Sequence, residues 1–352
     1  MIDLRSDTFT RPGQAMRAVM ATAIVGDDVF QEDPTIKELE EEVAGITGFE
    51  SALYMPSGTM ANQIAINLHT RPGDSVLIEA ESHVFIYEAG AGPALSGIQF
   101  DCVGSADFTQ WTAVAEASFR VDSLHSAPTS LIVVENTHNR HGGRVFPVSG
   151  LDRIRAFRRD RTGVALHCDG ARIWNAAVAL GQPVSGLLSG FDSASVCFSK
   201  GLGAPVGSAL CGSREFIGRA RKVRKRWGGG MRQAGIIAAG ALYALRHHRE
   251  RIVEDHQRGL MLGKLFRELC AEFPDQALDA KTPNPQTNMV YLQVRPELAD
   301  PMVQSLAEAG VLVLPTGGGW IRAVTHLDIP ADAMPKVASA FLTCIKEVSG
   351  FV

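Results

Sequence analysis

The sequence predicts an α/β protein, with a mostly parallel, seven-stranded sheet in a three-layer αβα large domain and a smaller αβ domain at the C-terminus. Three observations predict it. Seven short β-rich, apolar runs recur between residues 51 and 212. Most are nearly continuous rather than alternating, as strands buried on both faces are. Helical patterns separate most of them, which implies repeated β–α–β units and a parallel sheet with helices on both faces.

In chain order, Asp33-Pro34 reads as an N-cap followed by proline at the first helical position, opening TIKELEEEVAGITG. The strand runs are SALYM (51–55), SVLIEA (75–80), IQFDCV (98–103), SLIVVEN (130–136), VALHCDG (164–170), SASVCFSK (193–200) and SALCG (208–212). GTMANQIAINLH (58–69) is a helix directly after the first strand. Residues 150–162 form another, with Leu151, Ile154 and Phe157 on its apolar face. The loop from 200 to 208 is too short for a helical crossover, so the last strand runs antiparallel. After about residue 236 the rhythm changes. Helices are expected over 233–250, 252–273, 298–309 and 331–347, with strands at 287–294, 311–315 and 320–326. We therefore divide the chain into a large domain, 1–248, N-terminal segment included, and a small αβ domain, 249–352.

Composition excludes several classes. The 352 residues are 45% apolar and 20% charged, as in a folded soluble protein. A net charge of −4 makes no electrostatic case for nucleic acid or an anionic membrane. No apolar run approaches the ~18 residues of a membrane span, and MIDLRSDTFTRP has no apolar signal core. The six cysteines form no CxxC pair and several sit inside apolar runs, as buried thiols do in a reducing cytosol. A cytoplasmic protein that binds neither nucleic acid nor membrane is expected.

Ligands of open parallel sheets bind beyond the carboxyl ends of the strands. Pro56-Ser57-Gly58-Thr59 follows the first strand and opens a helix, whose free N–H groups suit a phosphate. Ser57 as a plain N-cap is the simpler reading of that turn alone. His83 follows the second strand, and a lone histidine there is more often structural than catalytic. Asp169-Gly170-Ala171-Arg172 follows VALHC, and reads either as a capped helix start with a local ion pair or as an acceptor beside a cation. Lys200 follows SVCFS and precedes Gly201-Leu202-Gly203. Each feature is ambiguous alone; their shared edge is less so. Motifs for a serine-hydrolase elbow, a zinc peptidase helix or a phosphate-binding P-loop are absent, and no spacing suggests a metal site. Pyridoxal phosphate chemistry uses the whole set. A lysine amine forms a Schiff base, a carboxylate keeps the pyridine nitrogen protonated, and a helix N-terminus takes the phosphate.

The motifs DLRSDTFTRP, VGDDVFQEDPT, PSGTMANQIA, ESHVFIYEAG, VVENTHN, HCDGARIWNAAVALG, SKGLGAPVGS and GGGMRQAG run nearly end to end. Together they resemble the low-specificity L-threonine aldolases, pyridoxal phosphate enzymes of fold type I. The chain departs at Phe9 and in VFQEDP, where the family usually has Val and a Tyr-Gly pair. The resemblance implies that Lys200 is the Schiff-base lysine, Asp169 the pyridinium partner and His83 the imidazole stacked on the ring. It implies that Gly58 and Thr59, beside Ser57, bind phosphate. Ser6 and Arg172 then lie near the substrate carboxylate and the cofactor 3′-oxygen, and Arg322, in WIRAVTH, binds that carboxylate.

Six Lys/Arg fall within 219–226, which reads as a solvated helix face or, less readily, a nucleic-acid patch. The resemblance instead implies that Lys225 and Arg232 reach a neighbouring subunit's site, near its cofactor phosphate. A homo-oligomer, a dimer of dimers, follows from it. The implied reaction is retro-aldol cleavage of L-threonine or its allo isomer to glycine and acetaldehyde. His83, His125 or a water held by either is the base. β-Elimination or transamination is the nearest rival, and a non-catalytic protein on the same fold is the more distant one.

Overall fold

The computed structural model describes residues 1–104, 110–281 and 284–348. Its strands are β1 (Ile2–Asp3), β2 (Ser51–Met55), β3 (Ser75–Glu79), β4 (Gln99–Val103), β5 (Thr129–Glu135), β6 (Ala165–Gly170) and β7 (Ser193–Cys197). They continue as β8 (Ser208–Gly212), β9 (Ala277–Ala280), β10 (Met289–Val294), β11 (Val311–Leu312), β12 (Leu314–Gly317) and β13 (Trp320–Val324). Seven of them form one sheet in the order β2-β8-β7-β6-β5-β3-β4. The inner strands pair in parallel, while β8 runs antiparallel to both β2 and β7. β3, β7 and β8 are buried at every position, which is why they read as unbroken apolar strings.

The turn from β7 to β8 is closed by Phe198 and Gly207, whose backbones hydrogen-bond across it. Gly203 takes a positive φ of 76° in this turn and donates its N–H to the Lys200 carbonyl. The result is a tight platform that carries Lys200 just past the end of β7. Beside it, Ser57 caps the helix Gly58–His69 by accepting from the Met60 N–H at 3.1 Å. Gly58 lets this helix start against β7, since a Cβ there would lie 2.9 Å from Cys197 Sγ.

A second, four-stranded antiparallel sheet, β12-β13-β10-β9, carries the helices Ile252–Glu272, Pro296–Glu308 and Ala333–Val348 over its own core of Phe266, Leu292, Ile321 and Phe341. The run VLVLP, expected as one strand, is split. Val311 and Leu312 pair in parallel with Ile2 and Asp3, and Leu314 onward joins β13. The extreme N-terminus therefore packs with this C-terminal unit: Ile2 and Leu4 enter its core, and the Leu4 carbonyl accepts from the Val324 N–H. β9 is a further strand that its polar alternation, ALDA, did not announce. No described helix is long and apolar enough to cross a membrane.

Candidate active site

Ser57, Gly58, Thr59, His83, Asp169 and Lys200 line one cavity of about 260 Å³ at the carboxyl edge of the large sheet. Asp169 ends β6 at 1% exposure. Its Oδ2 accepts from Asn62 Nδ2 at 3.0 Å and its Oδ1 from the Ala171 N–H at 3.1 Å. Among the described residues no cation pairs with it, although burial of an uncompensated carboxylate is costly. Lys200, across the cavity, has no ion-pair partner among the described residues either.

The chain fixes this aspartate through a network that the sequence did not reveal. Asn62, like its neighbour Gln63, is a buried amide on the helix Gly58–His69. Its Oδ1 accepts from Ser195 Oγ at 2.6 Å and lies 3.1 Å from His167 Nε2. Its Nδ2 is thereby aimed at Asp169 and at Glu88 Oε1, 2.9 Å away. His167 is fully buried, and burial pushes its pKa down to about 4, so it acts as a neutral spacer.

His83 opens a short helix after β3. Its Nδ1 lies 3.2 Å from Glu88 Oε1, and its backbone N–H donates to Glu135 Oε2 at 2.6 Å. Burial disfavours the charged ring, yet the Glu88 hydrogen bond and the charge of Asp169 prevail and raise its pKa.

Arg172 and Ser6 are already engaged. Arg172 holds Asp7 through Nε–Oδ2 at 2.8 Å and Nη2–Oδ1 at 2.6 Å, with both residues buried. Burial opposes the charge on Asp7, but Arg172, Lys200 and Arg322 hold its carboxyl well below the usual range. Asp7 was not singled out from the sequence, where it is one of several acids in a polar segment. Ser6 caps the turn Asp7–Phe9, accepting from the Thr8 N–H at 3.3 Å. Arg322, on β13, donates to Asn139 Oδ1 and to the Arg5 carbonyl, each at 3.1 Å. Its Nε is buried without a partner, and among the described residues no carboxylate pairs with it.

Ser6, Arg172 and Arg322 do not line this cavity, and three further predicted residues also stand outside it. His125 lies on an exposed turn ahead of β5, where its N–H donates to Ser123 Oγ. A turn that feeds the amino end of β5 belongs to the opposite edge of the sheet, so a single chain does not bring His125 to Lys200. Lys225 is exposed on the helix Arg214–Arg226, and Arg232, largely exposed, pairs with Asp27 at 2.9 Å. The basic run is not one solvated face. Arg224 turns inward to bind Asp28 at 2.6 Å and the Tyr54 carbonyl at 2.7 Å, and Arg221 binds Glu40.

The cavity fits pyridoxal phosphate on its own donors. A buried carboxylate lacking a cation matches a pyridinium N–H, a lysine lacking an anion matches the aldehyde carbon, and a capped helix N-terminus matches the phosphate. Fold and cavity together define a pyridoxal phosphate enzyme of fold type I. Comparison with known proteins narrows the class. The beta-eliminating lyase family matches residues 3–296. The low-specificity L-threonine aldolase of Escherichia coli O157:H7 is 39% identical over 340 residues, covering 96% of this chain and 98% of the relative. Low-specificity L-threonine aldolase 1 of Arabidopsis thaliana is 38% identical, covering 97% and 95%. A Leishmania major threonine aldolase structure superposes with a TM-score of 0.79 at 17% identity, over 98% of this chain and all of that one. The chain belongs to the beta-eliminating lyase family and, within it, to the low-specificity L-threonine aldolases.

Proposed function

We propose that this chain cleaves L-threonine, L-allo-threonine and related L-β-hydroxy-α-amino acids such as phenylserine to glycine and an aldehyde. The observation that carries this reading is a pair of unanswered charges facing one cavity, Asp169 without a cation and Lys200 without an anion. Bound there, pyridoxal phosphate supplies a sink for the electron pair that the Cα–Cβ bond releases. Lys200 is the residue that would hold the cofactor covalently, and Asp169 would keep a proton on its ring nitrogen. His83 would cover the ring, while Ser57, Gly58 and Thr59 would turn the helix N-terminus to its phosphate.

Arg322 would hold the substrate carboxylate, with Ser6 and Arg172 beside it and near the cofactor 3′-oxygen. Fixing that carboxylate would let Arg322 orient the Cα–Cβ bond for cleavage. Glu88 at His83 Nδ1 leaves Nε2 with a free lone pair, so His83 would take the β-hydroxyl proton as the bond breaks. The Lys200 amine, freed once the substrate amine has displaced it, would return a proton to Cα and complete glycine.

Lys225 and Arg232 then serve a neighbouring subunit, near its cofactor phosphate, and His125 would act only across such a contact. Their position outside their own cavity supports a homo-oligomer with shared sites, which we propose to be a dimer of dimers and cytoplasmic. The holoenzyme is expected to convert threonine and phenylserine to glycine plus aldehyde; keto acid plus ammonia would refute the reading. Lys200→Ala is expected to lower cleavage about 10⁴-fold and to abolish the borohydride-fixed mass of cofactor on the chain.

A further inference from the structure

A second cavity, of about 300 Å³, lies beside the first, and we propose that it receives the β-substituent of an aromatic, acid-bearing β-hydroxy-α-amino acid. The proposal rests on the aldolase reading above and names a substrate class for the same site. The cavity is walled by Tyr87, Tyr291, Trp320, Arg140, Lys281 and Glu81.

Its place follows from the strand register. Tyr291 pairs directly with Arg322 across β10 and β13, and Trp320 precedes Arg322 by two residues, so all three side chains leave one sheet face. That face meets Asn139, whose Oδ1 accepts from Arg322 and whose carbonyl accepts from the Tyr291 hydroxyl at 3.3 Å. On the opposite side, Tyr87 follows His83 by one turn, with ring centroids 5.5 Å apart. A substrate held at its carboxylate by Arg322 and at its β-hydroxyl by His83 therefore lies between the neighbours of both. Threonine offers this space a single methyl group; a substituted phenyl ring fills far more of it.

The chemistry of the walls narrows the class. The Tyr291 and Trp320 rings stand 6.3 Å apart at 77°, offering an incoming ring one face and one edge. Lys281 Nζ sits 5.8 Å from both centroids and 3.8 Å from Glu81, which Arg140 also binds at 3.0 Å. The lining itself carries two cations and one carboxylate, with Glu79 acting on Lys281 from outside it, and both cations border the aromatic walls. Burial draws the Lys281 pKa down despite Glu81 and Glu79. An acid group on the substrate ring would supply the missing charge.

The test compares kcat/KM of the holoenzyme for threonine, phenylserine and 4-carboxyphenylserine. The wild type is expected to favour 4-carboxyphenylserine over phenylserine by about fivefold, a preference that weakens as salt is added. Lys281→Met is expected to erase that preference and leave threonine within about twofold. Trp320→Ala is expected to lower both arylserines about tenfold relative to threonine. No acid preference in the wild type, or one that survives Lys281→Met, overturns the proposal. If Lys281→Met lowers all three substrates in parallel, the wild-type salt series decides, and a salt-independent preference overturns it. Cleavage of none of the three would refute the aldolase reading itself, whereas cleavage without the acid preference refutes this subsite alone.

Discussion

Two clusters of titratable groups stand at the carboxyl edge of the same sheet, and they differ in how their charges are answered. Beyond β3 and β5, Glu79 accepts from His138 Nε2 at 2.9 Å and lies 3.4 Å from His141 Nε2. His138 also stands 3.9 Å from Glu135, and Glu79 accepts the Glu81 N–H at 2.7 Å. At the ends of β6 and β7, Asp169 and Lys200 have no opposite charge bound to them among the described residues, and neither has Arg322, on β13 of the smaller sheet. The first cluster pairs its charges internally and ties two loops together; the second leaves its charges open to the proposed ligand. An unanswered buried charge, rather than a density of titratable residues, distinguishes the site.

The sharpest way to break this contrast is Asp169→Asn. The amide keeps the shape and can still accept from Ala171, but it cannot hold a proton on a bound pyridine. The expected loss in kcat is roughly 10³-fold, the scale of one removed electrostatic partner. The apoenzyme Tm is expected to move by about 4 °C or less, because the substitution breaks no ion pair. Activity within tenfold of wild type would mean that the unanswered charge does not mark the site.

Glu79→Gln should do the reverse. Burial opposes the Glu79 charge, but hydrogen bonds from His138 and His141 prevail and hold its pKa down at about 2. A carboxyl whose folded pKa is depressed stabilises the fold above its unfolded value, near 4.5, and loses that contribution as pH falls toward 2. The expected cost at pH 7 is about 3 kcal/mol, with kcat kept within about threefold. In urea titrations the gap from wild type should close between pH 4.5 and 2. A gap independent of pH, or a large loss of kcat at full folding, would merge the two clusters into one functional unit.

How far the sequence could be read depended on the same distinction. The strands of the large sheet were legible nearly to their ends because burial on both faces leaves an unbroken apolar string. β1 and β11 were not, since two residues carry no periodicity and their pairing joins positions 2 and 311. That Lys200, Asp169 and His83 share one cavity was legible because strands of a parallel sheet end at one edge. The roles of Asn62 and Asp7 were not, because their partners lie far along the chain: Asn62 reaches Asp169 across 107 positions and Asp7 reaches Arg172 across 165. Glu88 lies five positions from His83 and was legible only as part of the motif ESHVFIYEAG. Buried amides within GTMANQIAINLH were the one available signal. His125 shows the limit from the other side, since its residue type suits a base and its position in a single chain does not. The self-closing cluster was equally hidden, as Glu79 and His138 meet only through the pairing of β3 with β5.

The smallest effect bears on the boundary between the clusters, at His83. This imidazole joins the site through its ring and the neighbouring framework through its backbone, which donates to Glu135. Its raised pKa reflects the Glu88 hydrogen bond and Asp169 prevailing over burial. A base works in its neutral form, so a raised pKa delays the acid limb of kcat/KM to higher pH. Glu88→Gln keeps a hydrogen-bonding group near Nδ1 but removes the charge that favours imidazolium. The acid limb should therefore move to lower pH, while the plateau above it falls only modestly because, as proposed, Nε2 would still take the β-hydroxyl proton. Glu79→Gln, two side chains away in the closed cluster, should leave that limb in place. If the limb stays fixed in Glu88→Gln, or moves equally in both variants, His83 does not set it, and the proton from the β-hydroxyl leaves by another group.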